Sequence, residues 1–106
     1  MSVIMTLVVD GDPKKLEESA ASDPDAMRAI VESAKGHGLI AHRFYGSEDG
    51  QIMVVDEWPD EQSFQTFFEE NSQRIGSLMQ AAGVTSEPQP GFWRKLESHD
   101  EYGWEG

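Results

Sequence analysis

The residue best suited to acid–base chemistry lies in the middle of a predicted strand. His42 is the natural candidate for a general base, because an unperturbed imidazole has a pKa of about 6.5 and removes protons near neutral pH. The surrounding segment, Leu39–Tyr45, has the composition of a β-strand. The alternative is a structural histidine that pairs with Glu57 across a hairpin. His42 is therefore the candidate catalytic residue.

Further side chains near His42 in the predicted strands and the helix that follows are candidates for holding a ligand. Arg43 and Asp56 suit a carboxylate or an enolate, or form an ion pair at the sheet surface. Tyr45 and Trp58 suit the pocket of a flat apolar ligand, or belong to a core or an interface. Asn71 is polar within an apolar helical stripe, where it contacts a ligand or marks a break in the helix. The candidate substrate-binding residues are Arg43, Tyr45, Asp56, Trp58, Phe67 and Asn71.

Motifs for cofactors and metals are missing or misplaced. The segment Gly36–Ala41 reads G-x-G-x-x-A, but it follows a predicted helix and opens a strand, the reverse of a dinucleotide-binding turn. The chain has no cysteine, which excludes disulfides, thiolate zinc sites and a cysteine nucleophile. Nothing in the spacing of His37, His42 and His99 brings them together as metal ligands. We expect neither a metal nor a cofactor.

The acidic composition limits the partners. The 106 residues include eight Lys and Arg and 20 Asp and Glu, which gives a formal net charge of −12. This balance argues against binding to nucleic acid or to an anionic membrane, which requires clustered basic residues. The apolar residues 1–9 lack a basic segment and a cleavage site, and no run approaches the ~20 residues of a membrane span. We expect a cytoplasmic protein.

Local signals predict the elements of the first half of the chain. Apolar, β-branched residues predict a strand over Val3–Val9. An Asp-Pro pair predicts the start of a helix at Asp12 and again at Asp23. The second helix runs over about residues 24–35, with Gly36 as its left-handed cap.

Two further strands are predicted to form a β-hairpin: Leu39–Tyr45 and Gln51–Trp58. If Asp49 and Gly50 form a two-residue turn, Arg43 lies opposite Asp56 and His42 opposite Glu57. A four-residue loop would instead place Ala41 opposite Asp56. The charge pairing favours the first register.

The second half of the chain predicts a long helical stripe and a last strand. The stripe starts at Pro59-Asp60 and ends at Gly83, and it is divided into two helices if Ser72 caps the second. The last strand covers about Gln89–Glu97. We expect one domain over residues 1–97, followed by an acidic, aromatic tail over 98–106.

This order of elements predicts a fold and an oligomer. Strand, helix, strand, strand, helix, strand is the pattern of the α+β ferredoxin-like fold, a four-stranded antiparallel sheet with helices on one face. Residues 3–9 and 52–55 are apolar at odd and even positions alike, so both faces of the sheet need a cover. One chain has helices for one face, and a second copy of the sheet would cover the other. We therefore expect a homodimer through the sheet face.

One segment resembles a known group of proteins. The stretch Val54–Phe64, VVDEWPDEQSF, is similar to the strand-to-helix segment of the dimeric α/β-barrel superfamily, and looks most like its antibiotic-biosynthesis-monooxygenase domains. The resemblance implies two sheets that form a dimeric α/β barrel and a site between each sheet and its own helices. It covers the element order of about residues 1–97, whereas the motif spans about a dozen positions.

The resemblance also implies a function. Enzymes of that group oxidise small aromatic or polyketide-like substrates with O₂ and without metal or flavin, or degrade haem. The first reaction needs a base such as His42. Haem-degrading relatives have an Asn on the first strand and a Trp and a His on the second helix. In this chain, the first strand has no Asn, the Trp position falls on Phe67 and the His position falls on Ser77. Haem degradation is therefore not expected.

Two functions follow from these expectations. The first is binding of a small apolar organic ligand, with cofactor-independent monooxygenation if the protein is an enzyme. The alternative is a non-catalytic dimeric protein with an interaction or stress-related role. An empty pocket of about 300 Å³ or more beside His42 favours the first, and a filled one favours the second.

Overall fold

The computed structural model describes residues 1–104, which form one four-stranded antiparallel sheet with all four helices on one side. The strands lie in the order β2-β3-β1-β4, as the ferredoxin-like pattern predicts, and the helical stripe of the second half is divided in two. The elements are β1 Val3–Asp10, α1 Pro13–Ser22, α2 Pro24–Gly36, β2 Ala41–Gly46, β3 Gln51–Trp58, α3 Glu61–Glu70, α4 Ser72–Ala81 and β4 Gln89–Trp93.

The helices begin where the capping residues predict. The Asp12 carboxylate accepts from the Lys14 N–H at 2.9 Å at the start of α1, and Asp60 accepts from the Ser63 N–H at 2.8 Å at the start of α3. Each bond satisfies an amide that has no partner within the helix. Asp23 caps α2 in the same way. Sequence alone therefore locates the starts of these three helices.

The end of α2 differs from the prediction. Gly36 lies inside the helix, and the left-handed residue is Gly38, with φ of 99°. The Leu39 N–H donates to the Ala34 carbonyl, and the Gly38 N–H donates to the Lys35 carbonyl, each at 3.0 Å. These two bonds form a Schellman motif, which needs its glycine one position beyond the cap residue. The prediction of Gly36 as the cap was wrong by two residues.

The register of the β2–β3 hairpin also differs from both sequence alternatives. His42 lies opposite Asp56, Arg43 opposite Val55 and Ala41 opposite Glu57. The predicted pairs of Arg43 with Asp56 and of His42 with Glu57 were wrong by one residue. A one-residue shift exchanges the two faces of a strand. It therefore gives Asp56 the neighbour His42 in place of Arg43.

The reason for this register is the length of the loop. Ser47 and Gln51 close the hairpin, with the Ser47 N–H donating to the Gln51 carbonyl at 2.9 Å. Three residues, 48–50, remain between them, and Gly50 takes the left-handed conformation with φ of 84°. A three-residue loop that ends on such a glycine is an established alternative to the two-residue Asp-Gly turn. Gly50 thus forms the turn with a different number of loop residues.

The predicted break at Asn71 is confirmed, with one change in the capping residue. Asn71 lies between α3 and α4 and occupies the position that precedes α4, while Ser72 is the first residue of that helix. The Asn71 side chain does not cap α4. The prediction that Ser72 caps the second helix was wrong.

Alternating residues of β1, one of the two central strands, face the two sides of the sheet. Met5, Leu7 and Val9 point toward the helices and are buried. Ile4 and Val8 point to the other side, which we call the open face, together with Met53, Val55, Trp93 and Tyr45. Val8 is 41% exposed and Trp93 60% exposed. The single chain therefore leaves an apolar sheet face uncovered.

The described residues beyond the sheet have no regular structure. β4 ends at Trp93, four residues earlier than predicted, and residues 94–104 form neither helix nor strand. The predicted tail includes residues 105 and 106, which lie outside the described residues. Within residues 1–104, every helix is too short or too polar to cross a membrane.

Candidate ligand-binding site

A cavity of about 100 Å³ lies between the sheet and the helices. Nearly all of the side chains that line it are apolar, and they come from the buried face of the sheet and from all four helices. His42 and Asp56 are the two polar side chains in this lining. Such a chamber selects apolar ligands and offers one place for a hydrogen bond or a proton transfer.

Helices α2 and α4 both line the cavity. Helices α1 and α3 each contact both of them, whereas α2 and α4 do not pack closely against each other. Their inward apolar side chains are consequently only half-buried. These side chains are Met27, Ile30 and Val31 on α2, and Ile75, Leu78 and Met79 on α4. A ligand that separated these two helices would cover apolar surface that the free protein leaves exposed.

The polar end of the cavity is a chain of three side chains on two adjacent strands. Nδ1 of His42 is 2.7 Å from Oδ1 of Asp56, and Nε1 of Trp58 donates to Oδ2 of Asp56 at 3.1 Å. The side chain of Asp56 is 6% exposed and that of His42 is 26% exposed. With Nδ1 occupied by Asp56, Nε2 is the nitrogen that is available to a ligand. His42 thus lies at the rim of the cavity, with a buried carboxylate behind it.

Trp58 belongs to the core and fixes the position of this chain. It is fully buried, and its ring centroid lies 5.8 Å from that of Phe64 and 5.4 Å from that of Phe67. Aromatic contacts at these distances add to the stabilisation from burial. Phe67 lines the cavity, but Trp58 does not. The structure therefore favours the core role for Trp58 and places Phe67 in the cavity wall.

Asn71 connects helices and lies outside the cavity lining. Its Nδ2 donates to Oγ of Ser33 at 2.9 Å and to the Phe67 carbonyl at 3.0 Å, while its Oδ1 accepts from Arg74 at 3.4 Å. Asn71 is 3% exposed. Because its polar atoms are satisfied by the protein, Asn71 holds α2 against the junction of α3 and α4.

Arg43 and Tyr45 lie on the open face, away from the cavity. NH1 of Arg43 donates to the Tyr45 hydroxyl at 3.1 Å, and this hydrogen bond raises the pKa of the guanidinium above its ordinary value. Both residues alternate with His42 and Phe44 along β2, so they point to the other side of the sheet. Within one chain, they cannot act on a ligand that His42 contacts.

The sequence prediction thus grouped residues that the fold separates. His42, Asp56 and Phe67 meet at the cavity, Trp58 supports them from the core, and the other three candidates lie elsewhere. Sequence reasoning missed the half-buried residues of α2 and α4 as part of the site. Their only signal is helical apolar spacing, which is the same for a filled core and for a cavity wall. Within residues 1–104, no group of three or more His, Asp or Glu side chains is arranged to hold a metal ion.

Comparison with known proteins gives a fold. No family model matches the chain, and no curated protein is similar to it at a significant level. A dimeric ferredoxin-like protein from an uncultured marine organism superposes with a TM-score of 0.64 at 17% identity, over 95% of this chain and 93% of that one. The fold is ferredoxin-like. This confirms the fold class that the order of elements predicts.

Two oxygenases share the ferredoxin-like fold. SnoaB, a cofactor-independent oxygenase from Streptomyces nogalater, has a TM-score of 0.63 at 12% identity, covering 94% of this chain and 98% of that one. A monooxygenase from the gene ActVA-Orf6 of Streptomyces coelicolor, in complex with the ligand nanaomycin D, has a TM-score of 0.63 at 17% identity, covering 95% and 91%. The resemblance carried by Val54–Phe64 is therefore confirmed at the level of the fold.

Proposed function

We propose that this protein binds a small, largely apolar organic compound between its sheet and its helices. We further propose that His42 removes a proton from that compound in a cofactor-independent monooxygenation. The observation that carries the proposal is the apolar cavity with a single polar pair, His42 and Asp56, in its wall. An apolar pocket with few convergent polar groups is the usual form of a small-molecule site.

The chemistry suits a phenol-type substrate. The hydroxyl proton moves from the substrate to Nε2 of His42, and the phenolate so formed supplies electrons to O₂. A C–O bond then forms at a ring carbon that bears hydrogen, and the peroxide takes the proton back from Nε2 of His42 to give a hydroperoxide. Loss of one water molecule leaves a quinone, so one oxygen atom enters the product and the other leaves as water. The apolar wall keeps bulk water away from the anion.

The volume of the cavity limits the size of the substrate. About 100 Å³ is less than the ~150 Å³ of an apolar cavity that holds benzene in another protein. It is also below the roughly 300 Å³ that marks drug-sized sites. In this conformation, the cavity is therefore smaller than a single ring requires, and a single-ring compound needs less movement of the surrounding side chains than a polyketide-like one. Larger substrates require α2 and α4 to separate.

The small volume also supports a second candidate function. A cavity below about 300 Å³ suits a non-catalytic dimer with an interaction role, in which the space is imperfect packing and His42 is a structural partner of Asp56. Binding of a probe molecule separates the two candidates.

We propose that two copies associate through the open face. Ile4, Val8 and Val55 lie in its centre and Trp93 at one side, where Nε1 of Trp93 donates to Oγ1 of Thr6 at 2.8 Å. Contiguous apolar surface of this kind is typical of an interface, and a dimer buries it on both chains with one two-fold contact. Sedimentation velocity at micromolar concentration tests this proposal, and a monomer would refute it.

Phenol is a suitable probe for the cavity. Methyl-labelled protein titrated with phenol is expected to show shifts at Ile30 and Leu78 and none at Val8. The Val31→Phe variant fills the cavity and is expected to weaken binding about tenfold or more, equivalent to about 1.4 kcal/mol. Leu96→Phe adds a ring at an exposed position and serves as the matched control. Phenol-induced shifts that are the same in Val31→Phe and in the wild type would refute the cavity as the binding site.

Oxygen uptake tests the catalytic part. With phenol and dihydroxybenzenes as substrates, the protein is expected to consume O₂ above the protein-free rate. His42→Gln should abolish this uptake and retain binding. Binding without uptake would support the non-catalytic candidate, and no binding at all would refute the ligand proposal.

A further inference from the structure

Each oxygen of the buried Asp56 carboxylate already has a partner within the protein. Oδ1 is 2.7 Å from Nδ1 of His42, and Oδ2 accepts from Nε1 of Trp58 at 3.1 Å. The side chain is 6% exposed. A group with both oxygens occupied and almost no access to solvent does not fit the substrate-binding role expected from the sequence.

The two contacts of Asp56 fix its direction and its hydrogen-bonding role. The Trp indole N–H is only a donor, so Oδ2 must accept. Trp58 is held in place by Phe64 and Phe67, and it lies two residues from Asp56 on the same face of β3. The carboxylate is therefore anchored from the core side and points its other oxygen at His42.

This arrangement selects one tautomer of His42. An ionised carboxylate only accepts hydrogen bonds, so a neutral imidazole beside it carries its proton on Nδ1 and its lone pair on Nε2. We propose that Asp56 is a positioning residue that holds His42 as the Nδ1–H tautomer and turns the basic Nε2 toward the cavity. This inference rests on the proposed function, because it assigns how His42 is prepared to accept a proton.

The test reads the tautomer directly, without any ligand. In ¹⁵N spectra of the full chain at a pH where the imidazole is neutral, His42 is expected to show a protonated Nδ1 and an unprotonated Nε2. The His42→Gln variant identifies its signals among those of the three histidines. A wild-type His42 with its proton on Nε2, or one that never becomes neutral, would overturn the proposal.

Two variants separate positioning from structure. In Asp56→Asn, the amide oxygen still accepts from Trp58 and the amide N–H₂ faces His42, so the tautomer should reverse and O₂ uptake should fall on the order of 10²-fold, the contribution of a positioned base. Trp58→Phe removes the hydrogen bond to Oδ2 and keeps a carboxylate oxygen beside Nδ1 of His42, so the wild-type tautomer should persist although the carboxylate is held less firmly. An unchanged tautomer in Asp56→Asn would overturn the proposal.

The outcomes also distinguish this inference from the proposed function. If Asp56→Asn does not fold, the wild-type and Trp58→Phe spectra still decide the tautomer. If phenol fails to bind while the spectra follow the expectation, the proposed function fails and the assignment of Asp56 stands. If phenol binds and His42 carries its proton on Nε2, the assignment of Asp56 fails and the proposed ligand site stands.

Discussion

The contact between Asn71 and Ser33 gives a quantitative prediction for the stability of the helix layer. In Asn71→Ala, the two short hydrogen bonds to Ser33 Oγ and to the Phe67 carbonyl are lost, together with the long one from Arg74 at 3.4 Å, which we leave out of the sum because of its length. The Phe67 carbonyl keeps a partner, since it also accepts from the Asn71 backbone N–H at 3.0 Å. At about 1 kcal/mol for each bond, the loss is about 2 kcal/mol. A domain of this size loses about 4–8 °C of Tm per kcal/mol, so we expect a fall of about 8–16 °C.

A double-mutant cycle isolates the contact. Ser33→Ala alone should cost about 1 kcal/mol, and the double variant should cost less than the sum of the two single changes. Urea unfolding at one fixed protein concentration is the suitable assay, because the proposed dimer would make stability depend on concentration. Costs that simply add would show that Asn71 and Ser33 do not interact. A large loss of phenol affinity in a stable Asn71→Ala protein would show that Asn71 takes part in ligand binding, as the sequence analysis expects.

Further predictions concern the ends of the helices. Gly38→Ala should destabilise the protein by about 1–2 kcal/mol, because residue 38 has φ of 99° and its added methyl would lie 3.0 Å from Pro59. Gly36→Ala, inside the helix with no atom within 4 Å, should stabilise it by about 0.5–1 kcal/mol, and thermal unfolding of the two variants checks both signs. Hydrogen bonds from Ser63 lower the pKa of Asp60, so its stabilising effect is present above the unfolded pKa of about 3.9 and is lost as pH falls through the lower folded pKa. The difference in Tm between wild type and Asp60→Ala should therefore shrink on acidification below about pH 4, and a constant difference would contradict the assignment.

Local chemistry explains which parts of the fold were predictable. Asp12 and Asp23 sit directly before a proline, and the first helical turn needs both a side-chain acceptor and a residue that can lack an N–H, so both helix starts were correct. Gly36 and Gly38 are two residues apart, and either could end a helix by composition. Only the hydrogen bonds of the chain beyond the helix, toward Leu39, select the second.

The candidate site was less predictable because it depends on one residue of register. The Asp-Gly pair signals a hairpin, but the same glycine fits the last position of a three-residue loop, and the sequence does not choose between them. That choice replaces Arg43 by His42 beside Asp56 and moves the arginine to the open face. The cavity itself depends on how far apart α2 and α4 lie, which apolar spacing does not encode.

The place of β2 at the edge of the sheet has a consequence for the lifetime of the site. Among the described residues, β2 pairs only with β3, so one ladder of backbone hydrogen bonds keeps His42 opposite Asp56. Edge strands open locally at a lower free energy than central ones. A fluctuation that detaches β2 would disconnect His42 while β1, β3 and the core remain folded. Hydrogen exchange at the β2 amides therefore measures the fraction of molecules in which the contact between His42 and Asp56 is intact. A ligand that binds His42 should slow this exchange without affecting β1.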